Sequence, residues 1–294
     1  MTSYLALTSE QVKKAVDTLQ KNKTVYAEIL DFYGRVFDAQ ENCKGRIELE
    51  PLQLSEELRT ARRRENLPLI EIGQFIYDEK ESANLFLALC HIATEANPNL
   101  SAAAGVILDA VGTTIKPEEL FEGLLKGNEA LFENIVDELE IEKPVLGFLT
   151  YNSLKPSISG CADQLSVYLD RSEEQWLQGY CPVCGSAPIL SLLEDEGKRK
   201  LVCSFCWHLW PAKRVQCPYC DGSQNKDLHY FYSEEEKDTR VDLCDKCQKY
   251  IKTIDTRKAD RLIYPPLEHI STMHLDINAQ EKGFEPGIRL FMEE

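Results

Sequence analysis

Four pairs of cysteines, each with two residues between its members, dominate the last third of this 294-residue sequence. The pairs are Cys181/Cys184, Cys203/Cys206, Cys217/Cys220 and Cys244/Cys247, with 18, 10 and 23 residues between successive pairs. Two intervening residues allow a tight turn that points both sulfur atoms at one centre, and two such turns complete a tetrahedron with metal–sulfur distances of roughly 2.3 Å. The spacing therefore predicts two metal sites with four thiolate ligands each.

The cysteine-rich region also contains an internal repeat. Each half has a cysteine pair, a predicted β-hairpin, a second cysteine pair and a further strand. The predicted strands are 189–193, 199–202 and 209–215 in the first half, and 228–232, 240–243 and 250–255 in the second. Because a hairpin returns its second cysteine pair to the side of the first, we predict that Cys181, Cys184, Cys203 and Cys206 form one site. We predict that Cys217, Cys220, Cys244 and Cys247 form the other; interleaved pairing would strain the 10-residue linker.

The sequence before the cysteines has the apolar periodicity of α-helices. Thr8 and Gln11 form a capping-box pattern, and Pro117 and Pro144 suit the first turns of two later helices. Gly127 followed by Asn128 indicates a break between short helices. The predicted helical segments begin after Thr8 and near Val25, cover 82–96 and 101–111, and follow Pro117, Asn128 and Pro144, with 163–169 in the last.

Three other cysteines and one histidine are weaker candidates for chemistry. Cys43, Cys90 and Cys161 lie in predicted helices without a partner at ligand spacing, so we expect buried, unreactive thiols. His208 follows Cys206 closely. We expect a packed or exposed side chain there, and a role on or beside the metal is left open.

Composition and charge restrict the function classes. A formal net charge of -16 disfavours non-specific binding to nucleic acid or anionic membranes, and 43% apolar residues suffice for a real core. No run of 18 apolar residues predicts a membrane span, and the N-terminus has no signal-peptide pattern. We therefore expect a cytoplasmic protein, in which such cysteines are metal ligands rather than disulfides. The sequence shows no Gly-rich phosphate loop and no nucleophile elbow, so we expect no enzyme.

Several segments of the sequence resemble the FdhE-like family of formate dehydrogenase accessory proteins. The resembling segments are YCPVCGSAP at 180–188, LVCSFCWHLW at 201–210, RVQCPYC at 214–220, RVDLCDKCQKYIKTID at 240–255 and LEHISTMHLDINAQEKGF at 267–284. In the helical part, PVLGFLTYNSLKPSI at 144–158 is also similar. The resemblance is specific over 180–284 and diffuse before residue 140.

The resemblance implies an α+β architecture in three parts. An all-helical domain at 1–178 precedes two small rubredoxin-like (zinc-ribbon-like) modules, at 179–213 and at 214–294, and the second module ends in a C-terminal helix. The eight paired cysteines match the metal-ligand positions of the family. Iron is the metal that the resemblance favours, zinc is the alternative, and either a structural or a redox role is open.

The resemblance also implies a function. It indicates a non-enzymatic cytoplasmic maturation factor that binds the catalytic subunit of respiratory formate dehydrogenase, with no nucleic acid and no membrane span. A rubredoxin-like electron-transfer protein is one alternative. A zinc-ribbon nucleic-acid binder that stacks bases on Tyr219, Tyr230 and Phe231 is another. The sequence does not predict the oligomeric state.

One departure from the family pattern concerns the turns at the cysteine pairs. Only Cys184 is followed by glycine, whereas Trp207, Asp221 and Gln248 follow the other three pairs. Glycine at this place allows a left-handed turn, which tryptophan and glutamine adopt less readily. We therefore expect altered turn geometry at these pairs, with ligation retained.

Overall fold

The computed structural model describes residues 7–169, 176–233 and 236–288. Helices occupy the first part and strands follow, which confirms the predicted α+β class. The described helices are α1 (Ser9–Asn22), α2 (Ala27–Lys44), α3 (Glu56–Arg64), α4 (Glu79–Thr94), α5 (Pro98–Ala110), α6 (Pro117–Lys126), α7 (Glu129–Leu139), α8 (Lys143–Ser166), α9 (Pro265–Ile270) and α10 (Met273–Glu281). None of these helices is long and apolar enough to cross a membrane.

Local signals in the sequence fix several helix ends. The side chain of Thr8 accepts a hydrogen bond from the Gln11 backbone, and Gln11 Oε1 accepts one from the Thr8 backbone, so the predicted capping box is confirmed. Pro117 lies in the first turn of α6, and Gly127 ends that helix with a left-handed φ of 65°. Asn128 then caps α7, because its side chain accepts a hydrogen bond from the Leu131 backbone at 3.3 Å.

Helix α8 runs without a break through Pro156 and ends at Ser166, so it contains the first part of the segment 163–169 that was predicted to lie in the last helix. A proline inside a helix leaves the carbonyl four residues earlier without its usual N–H donor. That carbonyl belongs to Asn152, and the side chain of Gln40 on α2 donates to it at 2.8 Å. Gln40 is buried, so a neighbouring helix supplies the hydrogen bond that the proline removes.

The pairing of Gln40 with the Asn152 carbonyl predicts a non-additive effect on stability. Replacing Gln40 with leucine leaves a buried carbonyl unsatisfied, and we expect the free energy of unfolding to fall by about 1–3 kcal/mol. Pro156→Ala restores a backbone donor, so it should recover much of this loss in the Gln40→Leu protein and matter less alone. Urea unfolding of the unmodified protein, the two single variants and the double variant measures the difference. An equal effect of Pro156→Ala in both backgrounds would contradict this explanation.

The strands form one mixed sheet that spans both halves of the repeat. The strands are β1 (Pro188–Leu193), β2 (Arg199–Cys203), β3 (Leu209–Ala212), β4 (Leu228–Tyr232), β5 (Thr239–Cys244), β6 (Lys249–Asp255) and β7 (Glu285–Pro286). Their order is β3-β2-β1-β6-β5-β4, and β7 pairs with β6. Each half contributes three antiparallel strands, as the repeat predicts. Parallel pairing of β1 with β6 then joins the halves into one sheet.

The buried core is continuous between the helices and the first half of the repeat. One cluster of buried apolar residues contains side chains from α1, α2 and α4 to α8 together with Val183, Phe205 and Trp210. A second cluster lies under β1 and β6, and a third packs α10 against the second half. The predicted domain boundaries, between residues 178 and 179 and between residues 213 and 214, stay a prediction. The apolar core continues across the first boundary, and the β-sheet continues across the second.

The C-terminal segment 265–281 is held on the sheet by a buried lysine. Two short helices, α9 and α10, occupy the place of the single predicted C-terminal helix. Lys252 on β6 donates to the His269 carbonyl at 2.7 Å and pairs with Asp276 at 2.5 Å. The Lys252 side chain is 1% exposed, so this pair fixes both helices to β6 from inside the protein.

Candidate metal centres

The first cysteine cluster lies at the junction of the sheet with the helices. The sulfur atoms of Cys181, Cys184, Cys203 and Cys206 lie within 4.8 Å of one another, and all four residues are buried. The shortest Sγ–Sγ distances are 3.5 Å between Cys184 and Cys203 and 3.6 Å from Cys206 to Cys181 and Cys184. A tetrahedron with metal–sulfur bonds of 2.3 Å has sulfur–sulfur edges of roughly 3.8 Å. The cluster thus fits one tetrahedral metal ion.

The second cluster has the same arrangement and is more open to solvent. Cys217, Cys220, Cys244 and Cys247 also lie within 4.8 Å of one another, with Sγ–Sγ distances of 3.6 Å for Cys217–Cys247 and 3.7 Å for Cys220–Cys244. Cys220 and Cys247 are half-buried. The structure thus groups the eight cysteines as the hairpin argument predicts, and not in the interleaved way.

Ionisation of all four thiols of a cluster conflicts with their burial and close packing. Hydrogen bonds from the three neighbouring thiols lower the pKa of Cys184, whereas burial raises the pKa of Cys181 and of Cys206 well above the ordinary value. Burial likewise raises the pKa of Cys217, and that of Cys247 to about 11. Four adjacent thiolates therefore need a cation. Zinc and iron both suit four sulfur donors, and binding releases the thiol protons.

All four cysteine pairs are followed by a residue in the left-handed region. The φ angles are 79° at Gly185, 62° at Trp207, 55° at Asp221 and 56° at Gln248. The expected change of turn geometry without glycine is therefore not observed. Backbone bonds repeat as well: the N–H groups of Gly185, Asp221 and Gln248 donate to the carbonyls of Cys181, Cys217 and Cys244 at 2.8–3.1 Å. At Cys203, the N–H groups of Phe205 and Cys206 point to its sulfur at 3.4 Å.

Trp207 has a packing role that outweighs its strained backbone. Its indole is buried and its Nε1 donates to the hydroxyl of Tyr151 on α8 at 2.9 Å. Tyr151 in turn donates to the Phe205 carbonyl at 2.6 Å. The ammonium of Lys155, also on α8, lies 4.3 Å from the Trp207 ring centre. The turn after Cys206 is thus attached to α8 by two hydrogen bonds and a cation–π contact.

Lys155 is a buried cation beside this turn. Burial lowers its pKa to about 7, and its ammonium also lies 5.0 Å from the Phe37 ring. Among the described residues it has no hydrogen bond or carboxylate partner. The two aromatic rings, together with the more distant Glu41 carboxylate, stabilise its charge in the junction between the helices and the first cluster.

A second backbone contact holds the first cluster from the opposite side. The N–H groups of Leu69 and Ile70 donate to the carbonyls of Pro182 and Val183 at 2.8 and 3.0 Å. Pro182 and Val183 are the two residues between the first cysteine pair. The segment that links α3 and α4 is therefore hydrogen-bonded to the turn at the first cysteine pair. No local pattern predicts this contact, because the segment has neither motif nor periodicity.

The weaker sequence candidates lie outside both clusters. Cys43, Cys90 and Cys161 are buried in helices, and burial raises the pKa of Cys43 to about 11 and that of Cys90 to about 12. His208 is in neither four-cysteine group; burial lowers its pKa to about 4, and its carbonyl accepts from the Cys203 N–H at 3.0 Å. Its part in the site is through its backbone.

The candidate stacking residues are spread over different environments. Tyr219 is half-buried and donates to the Pro188 carbonyl at 3.0 Å, and Phe231 packs on the third apolar cluster. Tyr230 is 56% exposed and stacks on Tyr232. Tyr230 is thus the most exposed of the three, although the Arg240 guanidinium lies 4.7 Å from its ring centre.

Comparison with known proteins shows a similarity to FdhE over the cysteine-rich region. The model for the central domain of FdhE matches residues 180–214, and the model for the FdhE C-terminal domain matches residues 215–292. These two consecutive matches contain all eight paired cysteines. Residues 180–292 of this chain thus match two domains of FdhE.

Individual FdhE proteins agree with this similarity. An FdhE homolog of Aquifex aeolicus is 39% identical over 156 residues, and one of Haemophilus ducreyi is 35% identical over 117 residues. These matches cover 52% and 38% of this chain, and 53% and 37% of the relatives, so the chain spans about half the length of its curated relatives or less. The crystal structure of the FdhE protein from Pseudomonas aeruginosa has the same fold, with a TM-score of 0.68 over 95% of this chain and 94% of that one, at 19% identity.

The cluster geometry predicts how metal content responds to single substitutions. Cys206→Ala and Cys247→Ala each remove one donor from a different cluster, so we expect each to lower the bound metal from about two ions per chain to about one. Cys90→Ala is the matched control, since it removes a buried thiol outside both clusters and should leave the content unchanged. Elemental analysis of the purified proteins measures this. Loss of both metals from Cys90→Ala would refute the assignment.

Two turns with the same backbone and different surroundings predict opposite effects of glycine. At Gln248, which is exposed, glycine relieves the left-handed strain and should raise the free energy of unfolding by about 0.5–1 kcal/mol. At Trp207, glycine also removes the buried indole, and we expect a net loss of about 2–4 kcal/mol. Urea unfolding of the metal-loaded proteins measures both. A gain in stability from Trp207→Gly would show that the contacts to α8 contribute little.

Proposed function

We propose that this chain is a non-enzymatic accessory protein required for formate dehydrogenase activity, and that it binds the catalytic subunit of that enzyme in the cytoplasm. The observation that carries the proposal is the match to both FdhE domains over the region that holds the two cysteine clusters. The eight paired cysteines are the proposed ligands of two metal ions, with iron favoured over zinc by the family. We also propose the division into 1–178, 179–213 and 214–294.

The two metal sites suit different roles in such a protein. All four cysteines of the first cluster are buried, and the turns that carry them contact α8 and the segment at 69–70. A metal there stabilises the junction between the helical part and the sheet. The second cluster, in contrast, has two half-buried cysteines. We propose that the second site, rather than the first, faces the partner.

Electron transfer is a second candidate function because of the half-buried cysteines. Cys220 and Cys247 bring a metal–thiolate centre close to solvent, where a redox partner can approach it. This function requires iron, since zinc has no redox chemistry. Visible thiolate-to-iron absorption that bleaches reversibly on reduction would support it, and a protein purified with zinc alone would exclude it.

Co-purification tests the accessory function. The tagged protein is expressed in its own host under conditions that induce formate dehydrogenase, and the eluate is analysed for bound protein and for metal. We expect the catalytic subunit of the dehydrogenase in the eluate together with about two metal ions per chain. Cys90→Ala should behave in the same way, whereas Cys247→Ala should lose one metal and recover less of the enzyme. Recovery of no dehydrogenase by a fully metal-loaded protein would overturn the proposal.

A further inference from the structure

A surface next to the second cysteine cluster combines exposed aromatic rings with positive charge. We call it the edge surface and define it by six residues of β4, β5, β6 and the linker before Cys217. These residues are Arg214, Val215, Tyr230, Tyr232, Arg240 and Lys249. Val215, Tyr230 and Tyr232 are 51%, 56% and 61% exposed, although large apolar side chains gain by burial. Contiguous exposed side chains of this kind mark binding surfaces.

Positive charge is concentrated in a cavity of about 350 Å³ within the edge surface. Arg199, Arg214, Arg240 and Lys249 line it, and the carboxylate that lines it belongs to Asp242. That carboxylate is already engaged: Arg240 Nε lies 2.9 Å away, Arg199 Nη2 lies 3.7 Å away, and the Thr253 hydroxyl donates to it at 2.7 Å.

The excess of cations has no counterpart elsewhere in the cavity wall. The excess positive charge is larger than the net negative charge of two that a divalent ion with four thiolates would add beside Cys217. The whole chain carries a net charge of -16, so this cavity is a positive region on an acidic protein. Such a region attracts and orients an acidic partner.

The strand that borders the cavity has an open edge. Within the described part of the chain, β4 pairs with β5 and with no other strand. An edge strand leaves a row of N–H and C=O groups free, and proteins usually protect such edges with charged residues, proline or a cover. β4 instead presents His229, Tyr230 and Tyr232 to solvent. An open edge beside a specific pocket is the arrangement that binds peptides by strand addition.

We propose that the edge surface is the docking site for an extended, acidic segment of the partner protein. The segment adds to β4 as an extra strand, its carboxylates pair with Arg214 and Lys249, and its apolar side chains cover Tyr230 and Tyr232. The partner's identity rests on the function proposed above, whereas the chemistry of the segment follows from the surface. Tyrosine and arginine are the residue types that dominate binding energy in interfaces.

A direct binding measurement tests the chemistry of the segment. The probe is a fluorescein-labelled, end-blocked peptide of five Glu-Thr repeats, added to the full-length, metal-loaded protein, with a Lys-Thr peptide as the charge control. We expect saturable binding of the acidic peptide alone. Arg214→Glu combined with Tyr230→Ala should weaken it about tenfold or more. The matched control, Lys126→Glu with Val25→Ser, makes the same kinds of change at exposed sites on the helices and should leave binding unchanged.

Hydrogen exchange distinguishes strand addition from attraction by charge alone. If the peptide adds to β4, backbone amides of residues 228–232 gain protection on binding, whereas a purely electrostatic contact leaves them unchanged and overturns the strand-addition proposal. Binding of inorganic phosphate or of ATP that Arg214→Glu abolishes, without binding of the peptide, would overturn it as well and assign the cavity to a small phosphate ligand.

Co-purification with the edge-surface variant separates this proposal from the proposed function. If the unmodified protein recovers the dehydrogenase subunit and Arg214→Glu/Tyr230→Ala does not, with metal content unchanged, both are supported. Equal recovery by both proteins would refute the docking site and leave the function standing. If neither recovers the enzyme, the proposed function is wrong, and the peptide measurement decides the docking chemistry on its own.

Discussion

The close approach of four sulfur atoms in each cluster is the constraint on which the sheet depends. Sulfur atoms at 3.5–3.7 Å cannot all be ionised in a buried site without a cation between them, because burial and mutual repulsion both favour the protonated form. A metal ion attracts all four thiolates and so offsets their mutual repulsion. It also fixes the two turns of a cluster relative to each other. The hairpins β1–β2 and β4–β5 connect those turns. Fixing the two turns relative to each other therefore fixes which residues of the two strands pair.

Short-range patterns in the sequence predicted much of this architecture. Cysteine spacing predicted both clusters and their hairpins, and caps at Thr8, Pro117 and Asn128 predicted helix ends, because these signals act between residues close in the chain. Long-range features were missed. The continuity of α8 through Pro156 depends on Gln40, 112 residues from its acceptor, and the β1–β6 pairing depends on how two similar halves meet. The contacts of Trp207 with α8 were likewise not predicted. The sequence showed only that tryptophan stands at this position in place of glycine.

The two halves of the repeat share a plan and differ in their surroundings. The first half is enclosed: Leu69 and Ile70 hold one turn, and Tyr151 holds another. The second half contacts the N-terminal helices partly through ion pairs, such as Lys23 with Glu236 at 2.5 Å, and its strand β4 has no second partner among the described strands. Duplication of a metal-binding unit thus yields one copy that anchors the sheet and one that is available for contact with other molecules.

The parallel pairing of β1 with β6 has a thermodynamic consequence for metal occupancy. Each strand belongs to a different cluster's framework, so filling one site stiffens a strand that the other site needs in its native register. Metal binding at the two sites is then linked. An ion at one site raises the affinity of the other site by the same factor as an ion at the other site raises the affinity of the first. On this basis, a chain that has lost one ion would hold its remaining ion less tightly than a fully loaded chain does.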